Sequence, residues 1–456
     1  SIWLESSGSL GTEKAGTSLV MGWSPFQITL TRNLLVVYTN VMLYALCYQL
    51  QQPVEPFLVE KLGQGEGDAG LAYGRLQTLF GIVQLVGSPL MGLVLDQYGA
   101  RFGFLLVFLG SAMSYGLLAC ATNMWILYLS KIPALLQSAF LVSQTMVAQV
   151  TFAEERAEAL GLLMTAYTIG ASIGPGIGGW LGSQGDYYRG AWLAVCGSLL
   201  SLGLSTLLPA GIPRRNKVDT QEGRTPAHPK LGAWEGMKVV ATNYAVLGLL
   251  GTKLFSLVAS SLYRAARPIM LKENFGLGPG GLGLSMSIMS LCNAFAGAFV
   301  VGPITRKFSA QSLVAGCLLW MAVCFFGMAV TGPSSIAVLA LLSLVPVAHA
   351  AVLHISISVL QSMAAFAMAT GLTALSTAQV EDSLKGTLMG IEHGAHSLAS
   401  VGIPNIGIMM LRTMGISGMC TSCGLMLLVV ILLWQFIAAP RLSVLKDDKA
   451  DSPKSK

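Results

Sequence analysis

Residues 170–179 read Gly170-Ala171-Ser172-Ile173-Gly174-Pro175-Gly176-Ile177-Gly178-Gly179, five glycines and a proline in ten positions of an apolar run. In water this stretch would not hold a helix, because Gly costs about 1 kcal/mol and Pro about 3 kcal/mol relative to Ala in a helix interior. Inside a bilayer the backbone must bond to itself, and small residues become the surface on which two helices meet closely. The stretch therefore points to a bundle of transmembrane helices. Composition agrees: hydrophobic types make up 54% of the 456 residues and charged types 11%, with a mean hydropathy of +0.67. A soluble domain carries about 25% charged residues, so an ordinary cytosolic enzyme is excluded. Disorder, which needs high charge and low hydrophobicity, is excluded as well.

A spanning helix takes about 20 mostly apolar residues. Apolar runs lie near 33–54, 72–95, 102–122, 124–150, 158–182 and 190–210, and again near 239–262, 280–304, 311–331, 334–379, 386–411 and 415–438. The expectation is an all-α membrane protein of twelve transmembrane helices. Its parts are an N-terminal arm over 1–32, a six-helix half over 33–210, a basic central loop over 211–238, a second six-helix half over 239–438 and a charged tail over 439–456. The run 334–379 is about twice the length one helix needs. It is read as one crossing, with Pro346 as a kink or part of the run as an insertion, because two crossings would reverse every later loop.

The net charge of +6 is explained by membrane orientation rather than by nucleic acid. Eighteen of the 27 Lys and Arg residues fall on the side of the termini and central loop, and seven on the other. By the positive-inside rule the termini are cytoplasmic; plasma membrane and endomembrane remain equal expectations. The eight cysteines lie inside apolar runs and read as core residues, including Cys420 and Cys423, whose CxxC has no His or second CxxC nearby. No metal and no cofactor is expected, and a monomer is.

The halves repeat. At an offset of 210, Gly87, Gly92 and Asp96-Gln97 fall on Gly297, Gly302 and Arg306-Lys307; at 229–230, Ala148-Gln149-Val150, Gly161, Pro175 and Gly178 fall on Ala378-Gln379-Val380, Gly390, Pro404 and Gly407. Six spans per copy insert the same way up, which gives two parallel six-helix repeats of the kind that rock about a central site. In the second span, Gly87 and Gly92 precede Asp96, Gly99 and Arg101. Small residues allow close packing, and a carboxylate beside a helix N-terminus and a base makes a clasp that one conformation forms and another breaks. Gly92, Asp96, Gly99, Arg101 and the repeat-related Arg306 are its candidate members.

The Gly92/Asp96/Gly99/Arg101 turn, the Glu154-Glu155-Arg156…Gly161 entry and the Gly170/Gly174-Pro175/Gly178-Gly179 helix resemble the major facilitator superfamily, drug:proton antiporter type. The resemblance covers about 33–440. Within that superfamily, Pro56–Gly63, Tyr73–Gly81, Asp96–Arg101 and Gly386–Gly390 resemble its organic-cation-transporter-like, tetracycline-transporter-like branch. It implies a major facilitator fold, alternating access, proton coupling and organic cations or drugs as cargo.

Ionisable residues at membrane depth are costly and mark functional sites by default. Lys131 lies near the start of span 4, where it either faces a cavity or snorkels, and Lys253 lies deep in span 7. Glu392 and His396 share a helical face at i, i+4 with His393 beside them, an arrangement able to hold and pass a proton or simply to form a solvated helix end. Glu55, flanked by Pro53 and Pro56 with Gln49, Gln51 and Gln52 just before, either lines a vestibule or faces water. His349 and His354 read as incidental, and Arg75, Arg264 and Arg267 as interfacial.

The function that follows is secondary active transport of a small solute, with a proton as the coupling ion and antiport of organic cations or drugs as the leading form. Lys131 and Lys253 would instead suit an anionic organic metabolite, and a non-transporting receptor or scaffold of the same fold is the alternative from another class. The Walker A pattern of an ATP-driven pump is absent, and no catalytic triad, paired carboxylates or metal set appears, so an enzyme is not expected.

Overall fold

The computed structural model describes residues 19–20, 29–30, 32–63, 67–151, 155–208, 244–332, 347–380 and 385–438. Apart from a two-residue antiparallel pairing of Leu19–Val20 with Thr29–Leu30, the described elements are helical. In chain order they are α1 (Arg32–Gln51), α2 (Glu55–Leu62), α3 (Ala69–Ala119), α4 (Met124–Leu129), α5 (Ala139–Val150), α6 (Arg156–Ser183), α7 (Arg189–Ser205), α8 (Tyr244–Glu273), α9 (Pro279–Phe295), α10 (Gly302–Lys307), α11 (Ala310–Ala329), α12 (Val347–Ala378) and α13 (Lys385–Leu433).

Ten of the described helical segments are long and apolar enough to cross a membrane. The 17-residue α7 falls just short of that length, and the segment Ser397–Phe436 is itself divided by Gly415 at φ 66°. Counting α7 and both parts of Ser397–Phe436, the described residues hold twelve membrane-type helical segments, eleven of them of full spanning length. Gly99, at φ 80°, breaks α3 in the same manner: a left-handed backbone costs a non-glycine residue and ends the helix there. Gly185 and Gly415, 230 positions apart, both have positive φ, so the repeat extends to the turns.

Two expectations are corrected, and a third, the single crossing within 334–379, is met. Span 4, read as continuous over 124–150, is interrupted between α4 and α5, where Ile132–Leu136 forms a 3-10 turn containing Pro133. Span 7 does not end near 262; α8 runs on to Glu273, so Arg267 is buried at 7% exposure rather than interfacial. Within the run 334–379, α12 is unbroken over 32 residues, about 48 Å at 1.5 Å per residue. That is one crossing longer than the ~30 Å hydrocarbon core, which tilt accommodates. Pro346, the arm over 1–18, the central loop and the tail lie outside the described residues.

The chain forms two compact units. The first comprises Ser1–Gln64, Val83–Arg224 and Pro279–Ser290, and the second Gly65–Ile82, Thr225–Gly278 and Leu291–Lys456. They do not coincide with the sequence halves, because each unit includes a helix end from the other half. In the first unit Gly179 of α6 and Gly283 of α9 meet backbone to backbone, so that a Cβ on either would collide with the other helix. In the second, Gly81 of α3 lies against the Ser400 carbonyl of α13. The first unit's core is a cluster including Leu34, Val37, Val41, Phe104, Phe108, Val142, Met146 and Leu163, and Asn40 donates to Ser205 Oγ at 3.1 Å within it. Trp125, Phe299, Leu398 and Phe436 are exposed at 66–79%, an outside that suits lipid rather than water.

Candidate solute and proton site

In the first unit, Lys131 stands at the interruption of span 4 and its Nζ bonds to Glu55 Oε1. Their side chains are 14% and 5% exposed, so Glu55 neither faces water nor stands in an open vestibule, and Lys131 does not snorkel to the interface. The break frees backbone carbonyls that need donors. Ser114 donates to the Ser130 carbonyl at 2.6 Å, Gln84 to Ala134 at 3.0 Å and the Tyr44 hydroxyl to Gln137 at 2.9 Å. A non-helical stretch inside a transmembrane bundle is the recurrent setting of transporter binding sites.

In the second unit, Lys253 of α8 donates to Glu392 Oε2 of α13 at 2.5 Å and to Thr373 Oγ1 of α12 at 2.7 Å. Ser376 Oγ of α12 stands 3.1 Å from Glu392 Oε1 and 3.1 Å from the Thr373 carbonyl of its own helix, so its one hydroxyl proton is shared between the two acceptors. Lys253 is 24% exposed and Glu392 8%, so the acid is no solvated helix end even though it stands only seven residues into its helix. Val246, Leu250, Leu388 and Ile391 form an apolar cluster on the same helices. The side chains of His393 and His396 lie outside the described residues.

The glycine helix behaves as its sequence implies. Cβ atoms on Gly170, Gly174 and Gly178 would meet the Met42, Leu46 and Leu50 carbonyls of α1. Gly178's repeat mate Gly407 stands in the same way against the Leu262 carbonyl of α8. Pro175 follows Gly174 in α6, and its own carbonyl is what a Cβ on Gly283 would strike. The clasp is met only in part. Gly99 makes the turn, and Arg101 Nη2 donates at 3.0 Å to the Thr206 carbonyl at the C-terminal end of α7, where a cation is favoured by unpaired carbonyls. Among the described residues nothing lies within 4 Å of a Cβ on Gly92, and the close approach is at Gly87, against the Leu135 carbonyl. The side chains of Asp96 and Arg306 lie outside the described residues.

Two clusters escape the sequence reading. His354 is fully buried rather than incidental, with the Tyr263 hydroxyl 2.9 Å from Nε2 and the Thr331 hydroxyl 2.6 Å from Nδ1; it ties α12 to α8 and to the end of α11. His349's side chain lies outside the described residues. Arg412 forks over two carboxylates: Nε and Nη2 each stand 2.7 Å from Asp68, while Nη1 and Nη2 bond to Glu273. Asp68 also accepts from the amides of Gly70 at 2.7 Å and Leu71 at 3.2 Å as the cap of α3. Partial burial pushes its carboxyl up, but Arg412 and the two amides outweigh that and hold it below the ordinary value of 3.8. In the sequence Arg412 is simply one of the seven bases on the side away from the termini. The signal available in sequence was an acid placed immediately before a helix start.

Residues 37–352 match the Major Facilitator Superfamily. The chain belongs to that superfamily. It is a multi-pass membrane transporter, not an enzyme, and its cargo is a small molecule. Rat solute carrier family 22 member 18 is 27% identical over 418 residues, covering 90% of this chain and 95% of the relative; this is the branch to which the Pro56–Gly63 and Tyr73–Gly81 stretches point. The class C tetracycline resistance protein of Escherichia coli is 28% identical over 286 residues, 62% of this chain and 70% of the relative. Among solved structures, a D-xylose-proton symporter superposes with a TM-score of 0.66 at 15% identity over 89% of this chain and 97% of the other, a likeness of fold. Superfamily membership makes the two parallel six-helix repeats of the sequence reading the architecture of this chain.

Proposed function

We propose that this major facilitator protein carries small organic solutes by alternating access, driven by proton movement, with Lys253–Glu392 as the proton-linked pair. The observation that carries the proposal is that this buried pair joins α8, α12 and α13 through side-chain bonds alone. An ionised Lys–Glu pair is neutral as a whole. Protonating the glutamate on Oε2 ends the ion pair, weakens the bond to Lys253 and leaves a net positive charge, so one proton changes both the contacts and the charge of the site. Glu55–Lys131, beside the interruption of span 4, is the first unit's buried pair and holds that interruption in place. The Gly99 turn with Asp96 and Arg306, and the Arg101 contact with α7, serve the conformational change. The positive-inside count supports cytoplasmic termini.

Organic cations and drugs exchanged against protons are the reading of the cargo that the tetracycline resistance relatives support. A proton and a cation would then compete for one carboxylate. A second reading, an anionic solute, is favoured by the exposures: each lysine is more open than its acid, 14% against 5% and 24% against 8%. Purified protein in vesicles with an imposed pH gradient, a lumenal pH dye and tetraethylammonium, tetracycline and benzoate as cargo tests the proposal. The expected result is gradient-driven flux of at least one solute accompanied by proton movement. No solute flux and no proton movement would leave the receptor or scaffold reading in place.

A further inference from the structure

We infer that Lys253 is the receptor for an anionic group of the solute, uncovered when Glu392 takes up a proton, and that Thr373 and Ser376 hold the two partners while the bond between them opens. This rests on the pair being the proton-linked site. Each partner has its own anchor on α12: Lys253 donates to Thr373, and Glu392 accepts from Ser376, whose one proton also has the Thr373 carbonyl within reach. Breaking the Lys253–Glu392 bond therefore leaves both side chains tethered in place. An ammonium has three donors, and with Glu392 weakened as acceptor the one it held can turn to an incoming oxygen while the bond to Thr373 persists.

The charge of the ligand follows from access and from balance. At 24% exposure against 8%, the ammonium is the group a solute meets first, so a cation is repelled and an anion attracted. An anion added to the ionised pair would leave a net negative charge beside the apolar cluster of Val246, Leu250, Leu388 and Ile391, which is costly in low dielectric. One proton from water, placed on the Glu392 carboxylate, removes that charge: Lys253 keeps its own protons, the solute's anion replaces Glu392 as counter-ion, and the loaded site is as neutral as the empty one. Proton and anion therefore load together and move in the same direction. Lys253 from α8 is the charged group facing Glu392; α12 offers the two hydroxyls, and α11 carries no charged residue. His393 and His396 share Glu392's helix, with side chains outside the described residues.

Calorimetric binding of benzoate and tetraethylammonium to the purified full chain tests this. At about pH 8, above the carboxyl range, Glu392→Gln should bind benzoate about tenfold more tightly than wild type, whose own affinity should rise as pH falls. Lys253→Met should abolish binding. Adding Thr373→Val to Glu392→Gln should weaken benzoate about fivefold or more, with Thr373→Ser restoring it. Ser376→Ala removes a donor to Glu392, so the pH dependence of benzoate affinity should change, and Ser376→Thr should return it. The conservative variants keep the test free of folding defects. The inference is overturned if Glu392→Gln fails to tighten benzoate or tightens tetraethylammonium instead, or if Thr373→Val and Ser376→Ala move neither affinity nor its pH dependence. If Glu392→Gln leaves the pH dependence of flux intact, the proton-linked reading itself fails; if that dependence goes while benzoate is unaffected, only this inference does.

Discussion

Glu55–Lys131 and Glu392–Lys253 pair the same two side-chain types, yet they are held differently. In the first unit the lysine stands in an interrupted helix, and neighbouring side chains are engaged with the carbonyls that the break exposes. In the second unit both partners project from unbroken helix, and a third helix supplies a hydroxyl to each. The first lysine is 14% exposed and the second 24%. A pair closed in on a rearranged backbone has little room to separate. A pair with separate tethers and an open ammonium can part and re-form. The comparison teaches that an intramembrane ion pair is suited to be a working site when its members keep partners after they separate, as Lys253 and Glu392 do through Thr373 and Ser376.

The largest effect should come from removing the working lysine. Lys253→Met is expected to lower gradient-driven solute flux in vesicles about 100-fold, about 2.7 kcal/mol, while the protein still inserts and folds. Comparable flux in the variant would break the distinction between the pairs. Read on stability rather than on flux, the largest effect is at Glu55–Lys131. Glu55→Gln leaves a buried ammonium without its carboxylate, which costs about 3–5 kcal/mol, read as a lower unfolding temperature in detergent. Adding Lys131→Met should recover most of that loss, as expected when a buried pair is replaced by apolar atoms.

The packing contrast is smaller. Gly178→Val and Gly407→Val both drive a side chain into a facing helix carbonyl, and each should cost about 1–3 kcal/mol as overpacking. Similar losses would support equivalent helix contacts in the two repeats, and a loss confined to one would mean that the repeat does not extend to packing. The smallest effect is at Arg412, whose pairs are about one third exposed. Arg412→Met should cost about 0.5 kcal/mol. Because the folded Asp68 carboxyl lies below its ordinary value of 3.8, its contribution is fully present above that value and is lost as pH falls through the lower, folded one. The difference in unfolding temperature between wild type and Arg412→Met should therefore stay level from about pH 5 to 8 and shrink below about pH 4.

Much of the fold was legible because bilayer physics constrains sequence strongly: the apolar runs, the glycine stripe at Gly170–Gly179 and the Gly99 turn each admit few alternatives. Lys131, Lys253, Glu55 and Glu392 were legible as costly charges, but their pairing was not, since their partners lie 76 and 139 residues away. Thr373 and Ser376 carry no distinguishing signal, because hydroxyls inside transmembrane helices usually bond back to their own helix, as Ser256 and Thr377 do here. The span 4 break was hidden in an apolar run whose one visible sign was Pro133. Arg267 was misplaced because a hydropathy boundary drawn at the first arginine ends a helix that continues for another turn and more.

The central claim, that Glu392 and not Glu55 carries the coupling proton, is tested most directly by the pH profile of gradient-driven flux in Glu392→Gln beside Glu55→Gln, in matched vesicles with the solute that wild type carries. The account predicts a flat profile for Glu392→Gln, and for Glu55→Gln a wild-type profile at reduced protein yield. A retained pH dependence in Glu392→Gln together with a flat profile in Glu55→Gln would contradict it.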